Sequence, residues 1–158
     1  ANLLEDAFKF AKMGGTIDLT CGESESKFHS VADAVKKAKK EGVPMEKVTM
    51  SSDGQGSWSN YDAEGKLVEI GVSDVDTIYR QIVYMVKEEN MDLEELLALG
   101  TKNPAMALEL YPKKGAVKEE SDADILIMNE DLSLDTVIAM GVPMMRDGKI
   151  LKKGTYEK

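Results

Sequence analysis

Ten residues decide the fold class of this chain: Val48-Thr49-Met50-Ser51-Ser52-Asp53-Gly54-Gln55-Gly56-Ser57. A β-branched and apolar run ends abruptly in a carboxylate, and a glycine-rich loop with hydroxyl side chains follows. In a parallel α/β barrel, active-site groups lie at the carboxyl ends of the strands, so Asp53 could reach a metal ion or a substrate there. The two glycines would let backbone amides approach a ligand closely. The alternative is a tight turn after a buried strand, in which Asp53 only caps the turn.

The composition indicates one ordinary domain or parts of two. The chain has 158 residues, 42% of them hydrophobic, enough to bury roughly two-thirds of the unfolded surface. The net charge of -9 at pH 7 argues against nucleic acid and anionic membranes as partners, because both require clustered cations. The lysine-rich segment from Lys36 to Lys40 is typical of the solvated face of a helix.

The single cysteine, Cys21, and the single histidine, His29, limit the possible chemistry. One cysteine excludes an intrachain disulfide and a cysteine cluster for zinc, which favours a reducing compartment. A Cys/His nucleophilic pair is conceivable, but a polar loop separates the two residues, and a buried Cys21 is favoured.

No apolar run approaches the ~18 residues of a membrane span, and we see no charged-then-apolar leader. We therefore expect a cytoplasmic protein.

Hydrophobic periodicity predicts a helix, a strand, a helix and a strand in the first third of the chain. The predicted ranges are a helix over 3–11, a strand over 16–21, a helix over 31–38 and a strand that leads into Asp53. Gly14-Gly15 ends the first helix, and Gly42 with Pro44 ends the second. This spacing predicts a parallel βαβ unit with a right-handed crossover.

The remaining sequence predicts a hairpin, three helices and a series of short strands. The hairpin spans 60–68 with Ala63-Glu64-Gly65 as its turn. The first helix starts at Ser73, the second follows the cap Asp92, and the third has Pro104 in its first turn and runs to about residue 110. The period then changes to two, which predicts strands over 124–128, 136–140, 144–146 and 149–152, with Asp147-Gly148 as a two-residue turn.

Two local patterns suggest other metal sites. Oxygens that follow Asp53 approximate a calcium loop, but Trp58 occupies the sixth position, where an EF-hand requires glycine. Asp122 and Asp124 are spaced like metal ligands on one face of a strand. Their place just after a turn favours a solvated strand entry instead.

Further motifs extend over essentially the entire chain. They are Gly15-Thr16-Ile17-Asp18-Leu19-Thr20, Thr101-Lys102-Asn103-Pro104-Ala105, Asp122-Ala123-Asp124-Ile125-Leu126, Val137-Ile138-Ala139-Met140-Gly141 and Asp147-Gly148-Lys149. Together with the loop around Asp53, they closely resemble bacterial isoaspartyl dipeptidases, metal-dependent members of the amidohydrolase superfamily. Asn-Pro-Ala and Asp-Ala-Asp are general to the superfamily, whereas the Ser-Ser-Asp-Gly-X-Gly-Ser loop and the closing Lys153-Gly154-Thr155-Tyr156-Glu157 point to the dipeptidases.

The resemblance implies an α/β fold: the last two βα units of a (β/α)8 amidohydrolase barrel over 1–112, and C-terminal β-sandwich strands over 113–158. The sandwich would be built from both ends of the complete chain. The implied activity is hydrolysis of β-aspartyl dipeptides at a two-zinc centre. The family's eighth-strand aspartate maps onto Asp53, which would ligate a metal and take the proton of the bridging water. Ser57, with Gly56 beside it, maps onto the serine that binds the α-carboxylate of the substrate.

The chain departs from the family pattern at the other metal ligands. The family uses a His-X-His pair, a carbamylated lysine and two further histidines, all of which would precede residue 1. His29 follows the seventh strand on a loop or helix start, so a surface histidine is favoured over a ligand. A barrel of this type takes about 250 residues. The chain is therefore interpreted as the C-terminal portion of the enzyme, inactive when isolated.

Two other functions remain as alternatives. One is another amidohydrolase that acts on a different amide, and the other is a non-catalytic binding module that retains the barrel loop as an anion site. The expected partners are a β-aspartyl dipeptide and either further copies of the chain or the missing N-terminal part of the barrel. Nucleic acid and membranes are not expected. Self-association is expected because the strands at 16–21 and 48–52 would otherwise expose unpaired edges.

Overall fold

The structure, a computed structural model, describes residues 3–22 and 24–154. Five α-helices are assigned: α1 (Leu3–Lys12), α2 (Glu25–Lys40), α3 (Thr77–Lys87), α4 (Leu93–Gly100) and α5 (Lys102–Ala107). Eight strands accompany them: β1 (Ile17–Thr20), β2 (Val48–Ser51), β3 (Ser57–Tyr61), β4 (Leu67–Val72), β5 (Ile125–Met128), β6 (Leu134–Ala139), β7 (Val142–Arg146) and β8 (Lys149–Ile150). A 3₁₀ turn, Met45–Lys47, precedes β2.

The first two strands form the predicted parallel pair. Ile17 lies opposite Val48, and Thr20 lies opposite Ser51. Helix α2 connects the strands, and its first turn is capped by Ser24, whose hydroxyl accepts a hydrogen bond from the Lys27 amide at 3.2 Å. The parallel βαβ arrangement predicted from the sequence is confirmed.

The hydrophobic core lies between one face of the β1–β2 sheet and the helices. It includes Phe8, Val31, Val35, Val48, Met50, Met85, Leu96 and Leu99, all of them buried. Cys21 belongs to this core at 3% exposure, and its burial raises the pKa of the thiol to about 12. The prediction of a buried cysteine is therefore confirmed. Since side chains alternate along a strand, the opposite face of the sheet carries Asp18 and Thr20 from β1, and Thr49 and Ser51 from β2.

The lysine-rich segment of α2 faces outwards but is not merely solvated. Lys36 pairs with Glu89 beyond the end of α3, and Lys39 pairs with Glu95 in α4. These partly exposed ion pairs each contribute little to stability. They show that Lys36 and Lys39 have acidic partners within the chain.

The β3–β4 hairpin is longer than predicted. Its strands run antiparallel from Ser57 opposite Val72 to Tyr61 opposite Leu67. Asp62 closes the turn, because its Oδ1 accepts from the amide of Lys66 at 2.7 Å. The predicted helix start at Ser73 is wrong, because α3 begins only at Thr77. Backbone hydrogen bonds hold Ser73 against the loop before β3, so the residues up to Ser73 complete the hairpin.

Helix α4 begins where the sequence predicted, whereas α5 ends earlier. Asp92 caps α4, because its Oδ1 accepts from the Glu95 amide at 2.9 Å. Helix α5 ends at Ala107 instead of continuing to residue 110. The chain reverses at Glu109, whose φ is 58°, and the amide of Leu110 then bonds back to the Ala105 carbonyl at 2.8 Å. A left-handed residue cannot continue a right-handed helix.

The C-terminal strands form one antiparallel sheet in the order β5-β6-β7-β8. Asp147 and Gly148 join β7 to β8 with φ values of 50° and 68°, as a two-residue hairpin turn requires. The Tyr79 hydroxyl donates to the Leu132 carbonyl at 2.7 Å, which attaches the sheet to α3. In the described part of the chain this sheet is a single layer, so the second layer of a sandwich stays a prediction, as does the division at residues 112 and 113.

No helix among the described residues is both long and apolar enough to cross a bilayer.

Candidate active site

Asp53 lies two residues beyond the carboxyl end of β2, where the sequence placed it. Its side chain is exposed, and its φ of 49° is in the left-handed region, which aspartate tolerates better than most residues. The Gly56 amide donates to the Asp53 carbonyl at 2.8 Å. A Cβ atom at position 56 would lie only 2.7 Å from Asp53 Oδ1. Gly56 therefore leaves room for the aspartate carboxylate.

The loop amides are used within the protein. Gly54 N donates to the Ser52 hydroxyl at 3.1 Å, and Gln55 N donates to the Ser73 carbonyl at 2.8 Å. With Gly56 N bonded to Asp53, all three amides already have acceptors. The glycines also provide space in the loop, and the expectation that Gly56 contacts the substrate stays a prediction.

The loop is fastened on two sides. Besides the bond from Gln55, the Ser73 amide donates to the Gly56 carbonyl at 2.9 Å. Thr77 is fully buried at the start of α3, and its hydroxyl lies 3.4 Å from the Ser52 carbonyl. These bonds hold the backbone that presents Asp53, so the carboxylate projects from a fixed loop.

The sequence suggested that Ser57 is the last residue of a free loop. In the structure it is the first residue of β3. It lies opposite Val72, and its side chain is exposed. A side chain on a paired strand has a more defined direction than one on a loop. The Ser57 hydroxyl is thus available to a ligand beside the Asp53 loop.

Asp18 lies on the polar face of the β1–β2 sheet, and the sequence interpretation gave it no role. Its carboxylate accepts a hydrogen bond from Thr49 Oγ1 at 2.7 Å and another from the Ser51 hydroxyl. These three residues share the polar face of the β1–β2 sheet, and Asp53 follows two residues after the end of β2. The signal in the sequence was polar residues at every second position of both strands, but their meeting required the strand register.

His29 lies on α2 and is engaged between helices. The Tyr84 hydroxyl lies 2.6 Å from His29 Nδ1 and donates to Glu89 at 3.0 Å. The hydrogen bond from Lys36 holds the pKa of the Glu89 carboxyl below its ordinary value. Burial raises the pKa of the Tyr84 phenol, and its bond to Glu89 raises it further. This network joins α2 to the end of α3.

Asp122 and Asp124 converge on a lysine. Lys114 Nζ lies 3.0 Å from Asp122 Oδ2 and also pairs with Asp124. Asp124 Oδ1 accepts from the Met140 amide at 2.7 Å. The bond from Lys114, followed by that from Met140, holds the pKa of Asp124 below its ordinary value. The ammonium group takes the place that a metal ion would need.

The EF-hand pattern also fails, because a β-hairpin follows Asp53 instead of a helix.

Within the described ranges, no group of three or more His, Cys, Asp and Glu side chains could hold a metal ion. The exposed carboxylate of Asp53 suits one ligand position. A two-metal centre requires more donors than these residues bring together.

Comparison with known proteins assigns the family. Residues 4–151 match the model of the amidohydrolase family. The chain belongs to this family. The isoaspartyl dipeptidase resemblance is confirmed as well, because the amidohydrolase chain is similar to the β-aspartyl dipeptidase of Fervidobacterium islandicum AW-1 in complex with a β-Asp-Leu dipeptide. The TM-score is 0.82 at 35% identity, covering 98% of this chain and 40% of that one.

Two other solved structures extend the comparison. A second structure of the F. islandicum AW-1 enzyme gives a TM-score of 0.75 at 33% identity, covering 98% of this chain and 37% of that one. N-acetylglucosamine-6-phosphate deacetylase from Pasteurella multocida gives a TM-score of 0.59 at 16% identity. The match covers 83% of this chain and 37% of that one, which indicates a shared fold. The amidohydrolase chain thus spans less than half the length of these relatives. Amidohydrolases generally bind metal ions.

Proposed function

We propose that this amidohydrolase chain is the C-terminal part of a metal-dependent β-aspartyl dipeptidase. It would contribute the last two βα units of the barrel and the C-terminal sandwich strands. One observation carries the proposal: Asp53 is held at the carboxyl end of a parallel strand, in a chain 35% identical to a β-aspartyl dipeptidase over 98% of its length. That relative was solved with a β-Asp-Leu dipeptide, which supports a dipeptide of this class as the substrate.

Asp53 would act as one metal ligand and as a proton acceptor. Its loop is fastened to Ser73 and Thr77, while its carboxylate stays exposed. Zinc, two ions in the complete site, would polarise the amide carbonyl of the substrate. The carboxylate would accept the proton of the attacking water, a general-base role that requires a fixed and ionised group.

Ser57 would recognise the substrate. Its hydroxyl is exposed at the start of β3, four residues after Asp53, and can donate to the α-carboxylate of a β-aspartyl residue. A hydrogen bond to a charged group contributes roughly 1.5–3 kcal/mol. Gly56 lies between the two residues and would keep the approach open, since a side chain at this position would strike Asp53.

The remainder of the barrel would complete the site. In the described structure β1 and β2 pair only with each other, so each has one edge with unpaired backbone groups. Barrel closure satisfies such edges. The missing metal ligands would come from these neighbouring strands, so the isolated chain would be inactive. The single buried Cys21 supports a cytoplasmic location.

The decisive variant is Asp53→Asn in the full-length protein. It keeps the shape of the side chain but removes the base, so turnover of β-Asp-Leu should fall at least ~100-fold. Release of free leucine measures turnover, and elemental analysis measures bound zinc. Asp33→Asn, an exposed change on α2, is the matched control and should leave turnover unchanged. Near-normal turnover in Asp53→Asn, or full turnover after a chelator has removed the metal, would refute the proposal.

A further inference from the structure

Lys27 lies in the first turn of α2, which is an unfavourable place for a cation. The charged residues at the two ends of this helix otherwise follow the helix dipole: Glu25 lies in the first turn, and three lysines lie in the last. The amino end of a helix carries partial positive charge, so a lysine there is repelled. Local conflicts of this kind are expected at functional sites.

The aliphatic stem of Lys27 packs against the end of β1. A Cβ atom at Gly22 would lie 2.6 Å from Lys27 Cγ and 3.3 Å from Lys27 Cβ, so the side chain passes over the glycine in space that a larger residue would fill. Lys27 is half-buried. Burial raises the pKa of the neighbouring Cys21 thiol and the Asp18 carboxylate adds to the rise, whereas the charge of Lys27 opposes it. The ammonium group is therefore within electrostatic range of the strand end.

No carboxylate among residues 3–22 and 24–154 forms an ion pair with Lys27. Glu25, two residues earlier, is directed to His29, with Glu25 Oε1 3.8 Å from His29 Nε2. In contrast, Lys36 and Lys39 of the same helix have acidic partners. The charge of Lys27 is thus not neutralised within the described part of the chain.

The parallel register brings this cation to the edge of the sheet that carries Asp53. Thr20 lies opposite Ser51, and Gly22 and Asp53 each follow two residues after these strand ends. The Cys21 amide donates to the Ser51 carbonyl at 2.8 Å, so the pairing continues one residue beyond β1. Neighbouring strands lie about 4.8 Å apart. The lysine therefore reaches the same edge as the Asp53 loop, from the adjacent strand.

A β-aspartyl dipeptide carries a charge that suits this position. Besides the α-carboxylate assigned to Ser57, it has a second carboxylate at its C-terminus, a few bonds from the scissile amide. Asp53 has the same sign of charge and would repel this group. Arg80, on α3, is already paired with Asp74 at 3.4 Å and with Asp76 at 2.9 Å. An ammonium group that lacks such a partner can form a charge-assisted hydrogen bond with the terminal carboxylate.

We propose that Lys27 binds the terminal carboxylate of the dipeptide and makes the enzyme favour free dipeptides over substrates with a blocked C-terminus. This inference rests on the proposed function, because it concerns the substrate of the same site. Ser57 would recognise the β-aspartyl residue, whereas Lys27 would recognise the amino acid that is released. The lysine takes no part in proton transfer, so its replacement should change substrate binding and leave the chemical step intact.

Two substrates that differ only in this charge test the proposal in the full-length protein. β-Asp-Leu has the terminal carboxylate, and β-Asp-leucinamide has a neutral amide in its place. Lys27→Gln should lower kcat/KM for β-Asp-Leu about tenfold or more, mainly through KM, because one charge-assisted hydrogen bond is lost. The same variant should leave kcat/KM for the leucinamide unchanged. Lys27→Arg retains the positive charge and should retain the preference for β-Asp-Leu.

Lys40→Gln is the matched control. It removes the same charge from the same helix, but Lys40 is exposed in the last turn, roughly 20 Å along the helix axis from Lys27. Both substrates should be hydrolysed as by the wild type. This control separates a local contact from the general effect of one positive charge fewer.

Gly22→Ala tests the position of the lysine while its charge is kept. The added Cβ would strike Lys27 Cγ and displace the stem, so the preference for β-Asp-Leu over the leucinamide should decrease. Thermal unfolding followed by circular dichroism checks that each variant is folded.

The outcomes distinguish this inference from the proposed function. An equal loss on both substrates in Lys27→Gln, a wild-type preference in that variant, or the same selective loss in Lys40→Gln would overturn the role of Lys27. A wild-type preference is also the result if another part of the full polypeptide neutralises the lysine, and the inference is then wrong. A wild-type enzyme that hydrolyses neither substrate would instead refute the proposed function, and this inference with it.

Discussion

Asn103 connects the strand that leads to Asp53 with the helices behind it. The side chain is 4% exposed, and its Nδ2 donates to the carbonyls of Met45 and Val48, both at 2.8 Å. One amide group thus fixes α5 to the 3₁₀ turn and to the first residue of β2. The structure gives a physical reason for the Asn-Pro-Ala motif: it anchors the amino end of the strand whose carboxyl end carries the site.

Replacement of this residue should be costly. Asn103→Ala removes two hydrogen bonds and leaves two carbonyls without this donor. With roughly 1 kcal/mol per lost bond and a further desolvation cost where a carbonyl stays buried, the free energy of unfolding should fall by roughly 3 kcal/mol. For a unit of 158 residues that corresponds to about 6–12 °C in melting temperature, and the full-length protein, which is larger, should shift by a smaller amount of a few °C. Asn103→Asp should destabilise at least as much at neutral pH, because it directs a carboxylate at two carbonyl oxygens.

The assay is thermal unfolding of the full-length variants followed by circular dichroism. Asn60→Ala is the control, because Asn60 is exposed on the hairpin and its loss should change stability by less than about 0.5 kcal/mol. A melting temperature for Asn103→Ala within about 1 °C of the wild type would show that the two bonds contribute little and would refute the anchoring argument.

Three further predictions concern the site and the C-terminal sheet. Ser57→Ala should raise KM for β-Asp-Leu about 10- to 100-fold without loss of zinc, because it removes one charge-assisted hydrogen bond; steady-state kinetics and elemental analysis measure both. Asp18→Ala should lower the melting temperature more than Asp18→Asn does, because alanine removes the acceptor of the Ser51 hydroxyl and leaves the Thr49 hydroxyl only the Ile17 carbonyl at 3.2 Å. The depressed pKa of Asp124 means that its stabilising contribution is complete above about pH 4 and is lost as pH falls further. Asp124→Asn should therefore destabilise the protein at neutral pH and flatten the decline in melting temperature as pH falls below about 4.

Each of these has a matched control. Ser59→Ala, two residues along β3, should leave KM unchanged, and zinc loss with unchanged KM in Ser57→Ala would contradict the substrate role. Equal melting temperatures for the two Asp18 variants would show that the cross-strand bonds are not stabilising. Glu119→Gln, an exposed change outside the sheet, should keep the wild-type acid response; a wild-type response in Asp124→Asn would exclude the ion pair as its source.

Local chemistry explains which elements could be predicted. The parallel pair, α4 and the Asp147-Gly148 turn followed from apolar periodicity, an N-cap and a two-residue turn signal, all of which act within a few residues. The β3–β4 hairpin was predicted too short, and α3 too early. The end of the hairpin and the start of α3 depend on backbone hydrogen bonds between Ser73 and the Asp53 loop. The helix and strand propensities of single residues do not reveal such bonds.

The amino-acid sequence by itself determined the family resemblance, the position of Asp53 at a strand end, and the burial of Cys21. Each depends on side-chain identity and short-range order along the chain. The tertiary structure alone decided that Asp18 meets Thr49 and Ser51, that Asn103 holds β2, and that the loop amides are occupied internally. These contacts join residues far apart in sequence or depend on strand register and backbone direction. Hydrogen bonds require both partners within about 3 Å and correctly oriented, a condition that exists only once the strands and helices have packed.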